Sequence, residues 1–257
     1  MFGAAGRMGM TVCAAVAADP DLELVGAVDP HFAGLPLREV AHVEVGGIEL
    51  VPTPDAMLAA GVDVMVDFTH VEAARHNLAW AAANGVHAVV GTTGFDETDM
   101  ARLAASFTSS NCIVAPNFAI GAVLMMRFAE MAAPYFEGAE IIEQHHDAKR
   151  DAPSGTAMLT ARRIAEASSN WAADATENEV VPGARGGRGD SGITVHSVRL
   201  RGLVAHHEVL LGTTGQSLSI RHDSYDRSSF MPGVLLAIKS VGNHPGLTVG
   251  LDVLLDL

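Results

Sequence analysis

The first half of the chain alternates short apolar runs with longer amphipathic segments. Apolar runs bounded by polar residues predict strands, and apolar side chains at three- and four-residue spacing predict helices. Predicted strands cover residues 22–29, 62–67, 87–90 and 112–115, and predicted helices cover residues 8–18, 71–84 and 97–106. Strands that alternate with helices indicate an α/β fold with a doubly wound, mostly parallel sheet.

The pattern changes near residue 118, where a second kind of domain is expected to begin. Helices are predicted at 120–136, 156–169 and 229–241, and strands at 139–145, 193–198, 204–211 and 217–222. The last three strands are expected to be antiparallel neighbours, and the glycine- and arginine-rich stretch 183–192 is expected to be a mobile surface loop. We therefore predict a first domain of residues 1–117 and 228–257, interrupted by an α+β domain of residues 118–227 with a mixed or antiparallel sheet.

Composition narrows the class of protein. The 257 residues are 49% hydrophobic, which is enough for a substantial core, and 30 Asp and Glu against 16 Lys and Arg give a net charge of -14. Such a surface repels polyanions and argues against nucleic acid as a partner. Neither a membrane-length apolar run nor a signal peptide is evident. Cys13 and Cys112 match no disulfide or zinc pattern, so we expect buried thiols and a cytoplasmic protein with no membrane partner.

A glycine-rich segment opens the first predicted helix. Backbone N–H groups and the positive end of a helix suit a pyrophosphate, although glycine clusters before helices are often only turns. Asp29, about twenty residues on, ends the next predicted strand, where a carboxylate binds ribose hydroxyls or caps the turn at Pro30. No arginine follows to bind a 2′-phosphate, which favours NADH slightly over NADPH. The candidate loop residues are Gly3, Ala4, Ala5, Gly6, Arg7, Met8 and Gly9.

Three further segments follow predicted parallel strands at the edge where open α/β sheets bind ligands. Each taken alone is also consistent with a plain strand-to-helix turn that ends in a capping threonine. Together they predict one crevice with small polar side chains and accessible backbone. The segments are Asp67-Phe68-Thr69, Gly91-Thr92-Thr93-Gly94 and Ala115-Pro116-Asn117-Phe118.

The densest cluster of reactive side chains runs from residue 143 to residue 157. His145 can give a proton near neutral pH, and Lys149 can hold a carboxylate or donate a proton itself. Ser154, Gly155 and Thr156 are expected to open a helix and form an anion site. A proton donor, a cation and a carboxylate site are therefore expected within twelve residues.

Other interpretations of these residues are weaker. Adjacent residues on an extended chain point to opposite faces, so one metal ion would not easily bind both His145 and His146, and no metal site is predicted. A Schiff-base lysine needs a desolvated amine, whereas Lys149 has charged neighbours. The remaining histidines of the second domain are interpreted as surface or hydrogen-bonded side chains, namely His196, His206, His207 and His222.

In these motifs, and over nearly its whole length, the chain resembles the dihydrodipicolinate reductase family. The segments GAAGRMG, DFT, GTTGF, APNFAIG and HHxxKxDAPSGTA carry the resemblance, and the last is the most specific. It implies NADH- or NADPH-dependent reduction of 4-hydroxy-tetrahydrodipicolinate, a small dicarboxylate, in lysine and diaminopimelate biosynthesis by a homotetramer. It implies His145 as catalytic acid and Lys149 as proton donor, with His146, Gly155 and Thr156 contacting substrate. It implies dinucleotide contacts from residues 3–8, Asp29, residues 91–93 and residues 115–118.

One departure from the family concerns the N-terminus. Family members have a full strand before the glycine loop, whereas only Met1 and Phe2 precede Gly3 here. A late-assigned start codon or a shortened chain with an impaired cofactor site would explain this, and we favour the first. The alternative functions are a related oxidoreductase acting on another small carboxylate or semialdehyde, and a dinucleotide-sensing protein without catalysis.

Overall fold

The computed structural model describes residues 1–43 and 46–255, and the chain divides into two compact units, residues 1–118 with 230–257 and residues 119–229. The helices are α1 Arg7–Ala18, α2 Leu37–Ala41, α3 Ala56–Ala59, α4 Val71–Ala83, α5 Glu97–Ser106, α6 Ile120–Ala132, α7 Gly155–Ala167 and α8 Met231–Ser240. The strands are β1 Ala27–Val28, β2 Leu50–Val51, β3 Val64–Asp67, β4 His87–Val90, β5 Cys112–Val114, β6 Gly138–His145, β7 Gly187–Arg188, β8 Thr194–Arg199, β9 Ala205–Thr213, β10 Gln216–Ser224 and β11 Leu247–Val249. No helix in this described part is long and apolar enough to cross a membrane.

The first unit contains a parallel sheet with the strand order β11-β5-β4-β3. A second parallel pair, β1 and β2, joins it through Phe2, which forms parallel bridges to both Val28 and Asp67. Ala88, Val89 and Val90 of β4 are all fully buried, as expected for a parallel strand with helices on both faces. The predicted α/β fold with a doubly wound, mostly parallel sheet is confirmed.

The strand predicted at 22–29 is largely wrong, because only Ala27–Val28 is a strand. A strand forms where a neighbour accepts its backbone hydrogen bonds, and between β1 and β3 the described chain provides only Met1 and Phe2. The Met1 amino group donates to Gly26 O at 2.9 Å, and its burial lowers its pKa. A cleft of about 410 Å³ separates residues 22–26 from residues 62–66, and Met1 and Phe2 lie along it.

The second unit contains a five-stranded mixed sheet with the order β10-β9-β6-β8-β7. The expectation that 193–198 and 204–211 are neighbours is wrong, because β6 lies between β8 and β9, parallel to the first and antiparallel to the second. Parallel pairing needs a long connection, and the chain that contains α7 supplies it. The 183–192 stretch is mostly exposed and includes the short edge strand β7, so it is not a loop throughout.

Strand β6 has two different faces in this sheet. Ile141 is fully buried, as are its neighbours Val209 on β9 and, nearly so, Val195 on β8. The helices α6 and α7 pack on this side. Because side chains alternate along a strand, Glu143 and His145 lie on the same helix-covered face as Ile141, and Glu140 lies on the other.

Candidate active site

The glycine loop of the first unit needs glycine at two positions. Gly3 has a φ of +72°, a left-handed conformation that L side chains rarely adopt. A Cβ at Gly9 would lie 2.0 Å from Gly3 O, so helix α1 approaches the loop too closely for any side chain there. The Gly3 and Ala4 N–H groups both donate to Val28 O, at 2.9 and 3.3 Å. The loop is thus fixed against β1, and the first-turn N–H groups of α1 have no acceptor within the helix.

Asp29 connects this loop to the end of β1. Its Oδ2 accepts a hydrogen bond from Ala5 N at 3.1 Å, and its Oδ1 accepts one from His31 N at 3.2 Å. The second contact caps the 3₁₀ turn Pro30–Phe32, so the expected capping of the turn at Pro30 is confirmed. The first brings a carboxylate beside the loop that would bind a pyrophosphate, and this arrangement fits a dinucleotide.

Two of the three strand-end segments meet around a buried carboxylate, Asp67, which is fully inaccessible to solvent. Its Oδ1 accepts from Thr69 N at 3.0 Å, Thr69 Oγ1 at 2.7 Å and Thr92 Oγ1 at 2.7 Å. Its Oδ2 accepts from Asn77 Nδ2 at 2.8 Å. Asp67 thereby joins the loop after β3 to the loop after β4. Its donors explain how an anion is accommodated without solvent.

Aromatic packing brings the third segment to the same edge. The Phe68 and Phe118 ring centroids lie 5.7 Å apart, and the Phe68 ring occupies the space where a Cβ of Gly91 would be, with its Cε1 only 2.1 Å from that position.

The predicted dinucleotide contacts differ in how far solvent reaches them. The exposed ones are Gly6, Arg7, Thr93 and Pro116, and the half-buried ones are Gly3, Ala5, Met8, Asp29, Phe68, Thr69, Gly91 and Asn117. The buried ones are Ala4, Thr92, Ala115 and Phe118. The buried members can offer a ligand little beyond backbone groups.

In the second unit, His145 ends β6 beside a buried carboxylate. His145 Nδ1 lies 2.5 Å from Glu143 Oε2, and the Glu143 side chain is fully buried whereas 17% of the His145 side chain is exposed. Arg199 of β8 donates to both Glu143 oxygens, at 3.0 and 2.8 Å, and also to Asp151 O at 2.6 Å. This imidazole is therefore held between the sheet and the polar loop that follows it.

The loop after β6 places a cation and a helix start next to this pair. Lys149 Nζ donates to both carboxylate oxygens of Asp151, at 2.8 and 2.9 Å, and 22% of the lysine side chain is exposed. Ser154 caps α7, with its Oγ accepting from Ala157 N at 3.2 Å, and its own N–H donates to Glu143 Oε1 at 3.2 Å. Gly155 is exposed and Thr156 half-buried in the first turn of α7, and His146 is exposed beside His145.

Burial and charge set the ionisation of this cluster. Burial opposes ionisation of Glu143, yet hydrogen bonds from Arg199, Ser197 and His145 bring its pKa below the ordinary value. Burial lowers the pKa of His145, and the Glu143 carboxylate opposes that change. Lys149 lowers the pKa of Asp151. Glu143 is therefore an anion at neutral pH, and it faces a histidine that can carry a proton.

One of the histidines interpreted as surface or hydrogen-bonded side chains differs from that description. His206 fits it, because it is buried and hydrogen-bonded to Asp223 at 2.6 Å. His207 is buried opposite Glu143, its Nε2 has no hydrogen-bond partner among the described residues, and burial lowers its pKa to about 4. Among the described residues, no three His, Cys, Asp or Glu side chains are grouped to hold a metal ion.

Three residues that organise these sites had no role in the sequence-based prediction: Asp67 and Glu143 were only members of candidate segments, and Arg199 was not named at all. An alternating Glu143-x-His145 pattern on a strand could have indicated a shared face. Arg199 reaches Glu143 from a strand 56 residues away, and nothing local indicates that pairing.

Comparisons with known proteins agree over the full chain. Family models described as dihydrodipicolinate reductase, N-terminus, and dihydrodipicolinate reductase, C-terminus, match residues 1–118 and 121–255. The chain is 51% identical over 265 residues to a 4-hydroxy-tetrahydrodipicolinate reductase of Nocardia farcinica, and 50% identical over 264 residues to that of Cutibacterium acnes. Each alignment covers 100% of this chain and 98% of the relative.

A comparison with solved structures also finds a dihydrodipicolinate reductase. A dipicolinate-bound dihydrodipicolinate reductase from Paenisporosarcina sp. TG-14 superposes with a TM-score of 0.87 at 40% identity, covering 98% of this chain and 97% of that one. An amine dehydrogenase from Mycobacterium smegmatis has a TM-score of 0.64 at 13% identity, which shows a common fold alone.

Proposed function

The chain belongs to the dihydrodipicolinate reductase family, a family of NAD(P)H-dependent oxidoreductases of lysine and diaminopimelate biosynthesis, and from this we propose which of its residues carry out the reaction. The substrate is 4-hydroxy-tetrahydrodipicolinate, a small ring with two carboxylates, and the product is tetrahydrodipicolinate. The observation that carries the proposal is the pairing of His145 with buried Glu143 beside Lys149 and the first turn of α7. Together these provide a proton donor, a cation and N–H groups for a dicarboxylate.

The first unit binds the dinucleotide in this proposal. The α1 N-terminus and the loop from Gly3 to Met8 bind the pyrophosphate, and Asp29 binds the adenosine ribose. The remaining contacts come from Phe68 and Thr69 and from residues 91–93 and 115–118. When bound, the reduced nicotinamide supplies a hydride. The glycine conformations and the Asp29 contact to Ala5 N support this assignment.

The second unit binds the dicarboxylate and supplies the proton. His145 donates a proton to the ring anion that remains after hydride addition, and Lys149 acts as a further proton donor. His146, Ser154, Gly155 and Thr156 contact the substrate carboxylates, since N–H groups at a helix N-terminus favour anions. We therefore propose residues 1–117 and 228–257 as the dinucleotide-binding domain and residues 118–227 as the domain for substrate and oligomerisation.

The test is turnover by the purified chain. Loss of nicotinamide absorbance is followed with the condensation product of aspartate semialdehyde and pyruvate as substrate. We expect His145→Gln to lower kcat about 10²-fold or more, and Lys149→Met to lower it similarly. His196→Gln is the matched control, because His196 also pairs with a glutamate of β6, at 2.7 Å, but on the opposite face. Full activity of the His145 variant would reject the catalytic assignment.

NADH is the proposed preferred cofactor, because Asp29 stands where a 2′-phosphate would need a cation. Asp29→Ala should weaken NADH binding about tenfold and weaken NADPH binding less, as measured by nicotinamide fluorescence. Equal losses for the two cofactors would remove the basis for the preference. A homotetramer in the cytoplasm completes the proposal, and sedimentation equilibrium tests the subunit number.

A further inference from the structure

The buried carboxylate of Glu143 is surrounded by hydrogen-bond donors from β6, from β8 and from the N-cap of α7. Its Oε2 lies 2.5 Å from His145 Nδ1 and 3.0 Å from Arg199 Nη1, and its Oε1 lies 2.8 Å from Arg199 Nη2 and 3.2 Å from Ser154 N. One buried carboxylate thus contacts the proton donor, a cation from the neighbouring strand and the cap of α7. The first and the third of these, the proton donor and the start of α7, are parts that the proposed reaction requires in a fixed arrangement.

The ionisation of this carboxylate determines the tautomer of the imidazole. An ionised carboxylate has only acceptor oxygens, so the hydrogen bond to His145 requires the proton on Nδ1. The other nitrogen, Nε2, is then the atom that can exchange a proton with a ligand. We propose that Glu143 is a positioning residue that acts through His145, fixing its tautomer and ring orientation and holding a negative charge beside the imidazolium. This inference rests on the proposed function, because it assigns how the proposed acid is prepared.

The Glu143 carboxylate also fixes the loop between β6 and α7, residues 146–154, relative to His145. Arg199, held by Glu143, donates to Asp151 O at 2.6 Å, and Asp151 in turn holds Lys149. At the end of the loop, Ser154 N donates a hydrogen bond to Glu143 Oε1, the carboxylate oxygen that does not contact His145. Removing the charge at residue 143 should therefore disturb His145 and the loop together.

The surroundings of the imidazole give the direction of the electrostatic effect. Arg199 approaches from β8, Lys149 from the loop and His207 from β9, and His222 on β10 lies beyond His207. All of these groups are cationic or can become so, and Glu143 is the anion among them. With Glu143→Gln the imidazolium loses that support, so the pKa of His145 should fall below its wild-type value.

The experiment compares Glu143→Gln and Glu143→Asp with wild type. The matched control is Glu140→Gln, since Glu140 also binds an arginine and a histidine, Arg185 and His196, but on the opposite face of β6. We expect Glu143→Gln to lower kcat about 10²-fold, with a smaller change in KM, and to move the alkaline limb of the kcat–pH profile to lower pH. Glu143→Asp, which keeps the charge, should recover part of kcat, and Glu140→Gln should keep wild-type kcat.

A spectroscopic readout separates positioning from simple stabilisation. Nitrogen-15 NMR of labelled histidine should show His145 protonated at Nδ1 in wild type and a mixture of tautomers in Glu143→Gln. If Glu143→Gln only lowers the melting temperature while the pH profile and tautomer of the folded protein stay unchanged, the inference is wrong. If wild type shows no turnover, the proposed function fails, whereas the tautomer measurement still decides the role of Glu143.

Discussion

Asp67 offers the sharpest stability test, because its carboxylate is buried and accepts four hydrogen bonds from Thr69, Thr92 and Asn77. Hydrogen bonds to a charged group contribute at least about 1.5 kcal/mol each, so their sum is about 6 kcal/mol. Removing the carboxylate also removes its desolvation cost, and the partly exposed Thr69 and Asn77 donors regain water. We therefore expect Asp67→Ala to lower the free energy of unfolding by about 3 kcal/mol.

Tryptophan fluorescence in urea can measure this loss of stability separately for the first structural unit, which contains Asp67. The chain has two tryptophans, Trp80 in the first unit and Trp171 in the second, so a Trp171→Phe background reports the first unit alone. Asp63→Ala is the control, because Asp63 is exposed just before β3. The midpoint of the Trp80 transition should fall in Asp67→Ala and stay unchanged in the control.

The chemistry of the cluster also predicts a graded series. Asp67→Asn keeps one acceptor oxygen for Thr69 and Thr92 but presents an amide N–H to Asn77, so it should cost about 1 kcal/mol. Adding Asn77→Asp should restore that loss, because the carboxylate and the amide have then exchanged places. An Asp67→Ala protein that unfolds at the same urea concentration as the Asp63→Ala control would refute the reasoning.

Three further results are expected. Gly91→Ala places a methyl group against the Phe68 ring and should lower stability by about 1–3 kcal/mol, measurable as a lower melting temperature; an unchanged value would mean that the ring moves freely. Burial raises the pKa of the Cys112 thiol to about 12, so a thiol reagent at pH 8 should modify it only in denaturant, and rapid labelling of the native protein would contradict this. His207 binds a proton more weakly in the folded state, because burial lowers its pKa to about 4 from 6.5. Its contribution to stability is therefore present above pH 6.5 and is lost as the pH falls towards 4. Unfolding followed by Trp171 fluorescence should show this loss of stability, and His207→Gln should make the loss smaller.

The sequence predicted elements well where local signals agree. Strand β4 and helix α5 have the predicted bounds, residues 87–90 and 97–106. A run of Val and Ala residues marks the first, and a capping box of Asp96 and Asp99 marks the start of the second. The predicted helix 120–136 ends instead at Ala132, because Pro134 cannot continue the hydrogen-bond ladder and a 3₁₀ turn follows.

Pairing between distant segments was less predictable. Residues 22–26 have the apolar alternation of a strand, yet a strand also needs a neighbour, and among the described residues only Met1 and Phe2 lie between β1 and β3. The order of β8, β6 and β9 depends on the connection through α7, which composition does not reveal. For the site, His145 and Lys149 stood out as reactive types. Glu143 and Arg199 did not, because their importance comes from burial and pairing.

The interruption of the first unit by the second affects how the chain can fold. Strands β5 and β11 pair in parallel although their paired residues lie 135 positions apart, as Cys112 and Leu247 do, so closing that loop as free chain is entropically costly. Residues 119–229 are continuous, and the start of α6 lies against β10, where a Cβ at Gly121 would be 2.5 Å from His222 Cδ2. Once this segment has folded, its two ends are held near each other, and the effective loop shortens about sixfold, which reduces the closure cost by about 1.6 kcal/mol. During synthesis the inserted segment is complete before residues 230–257 emerge, so early folding of the insertion would prepare β11 to join its sheet.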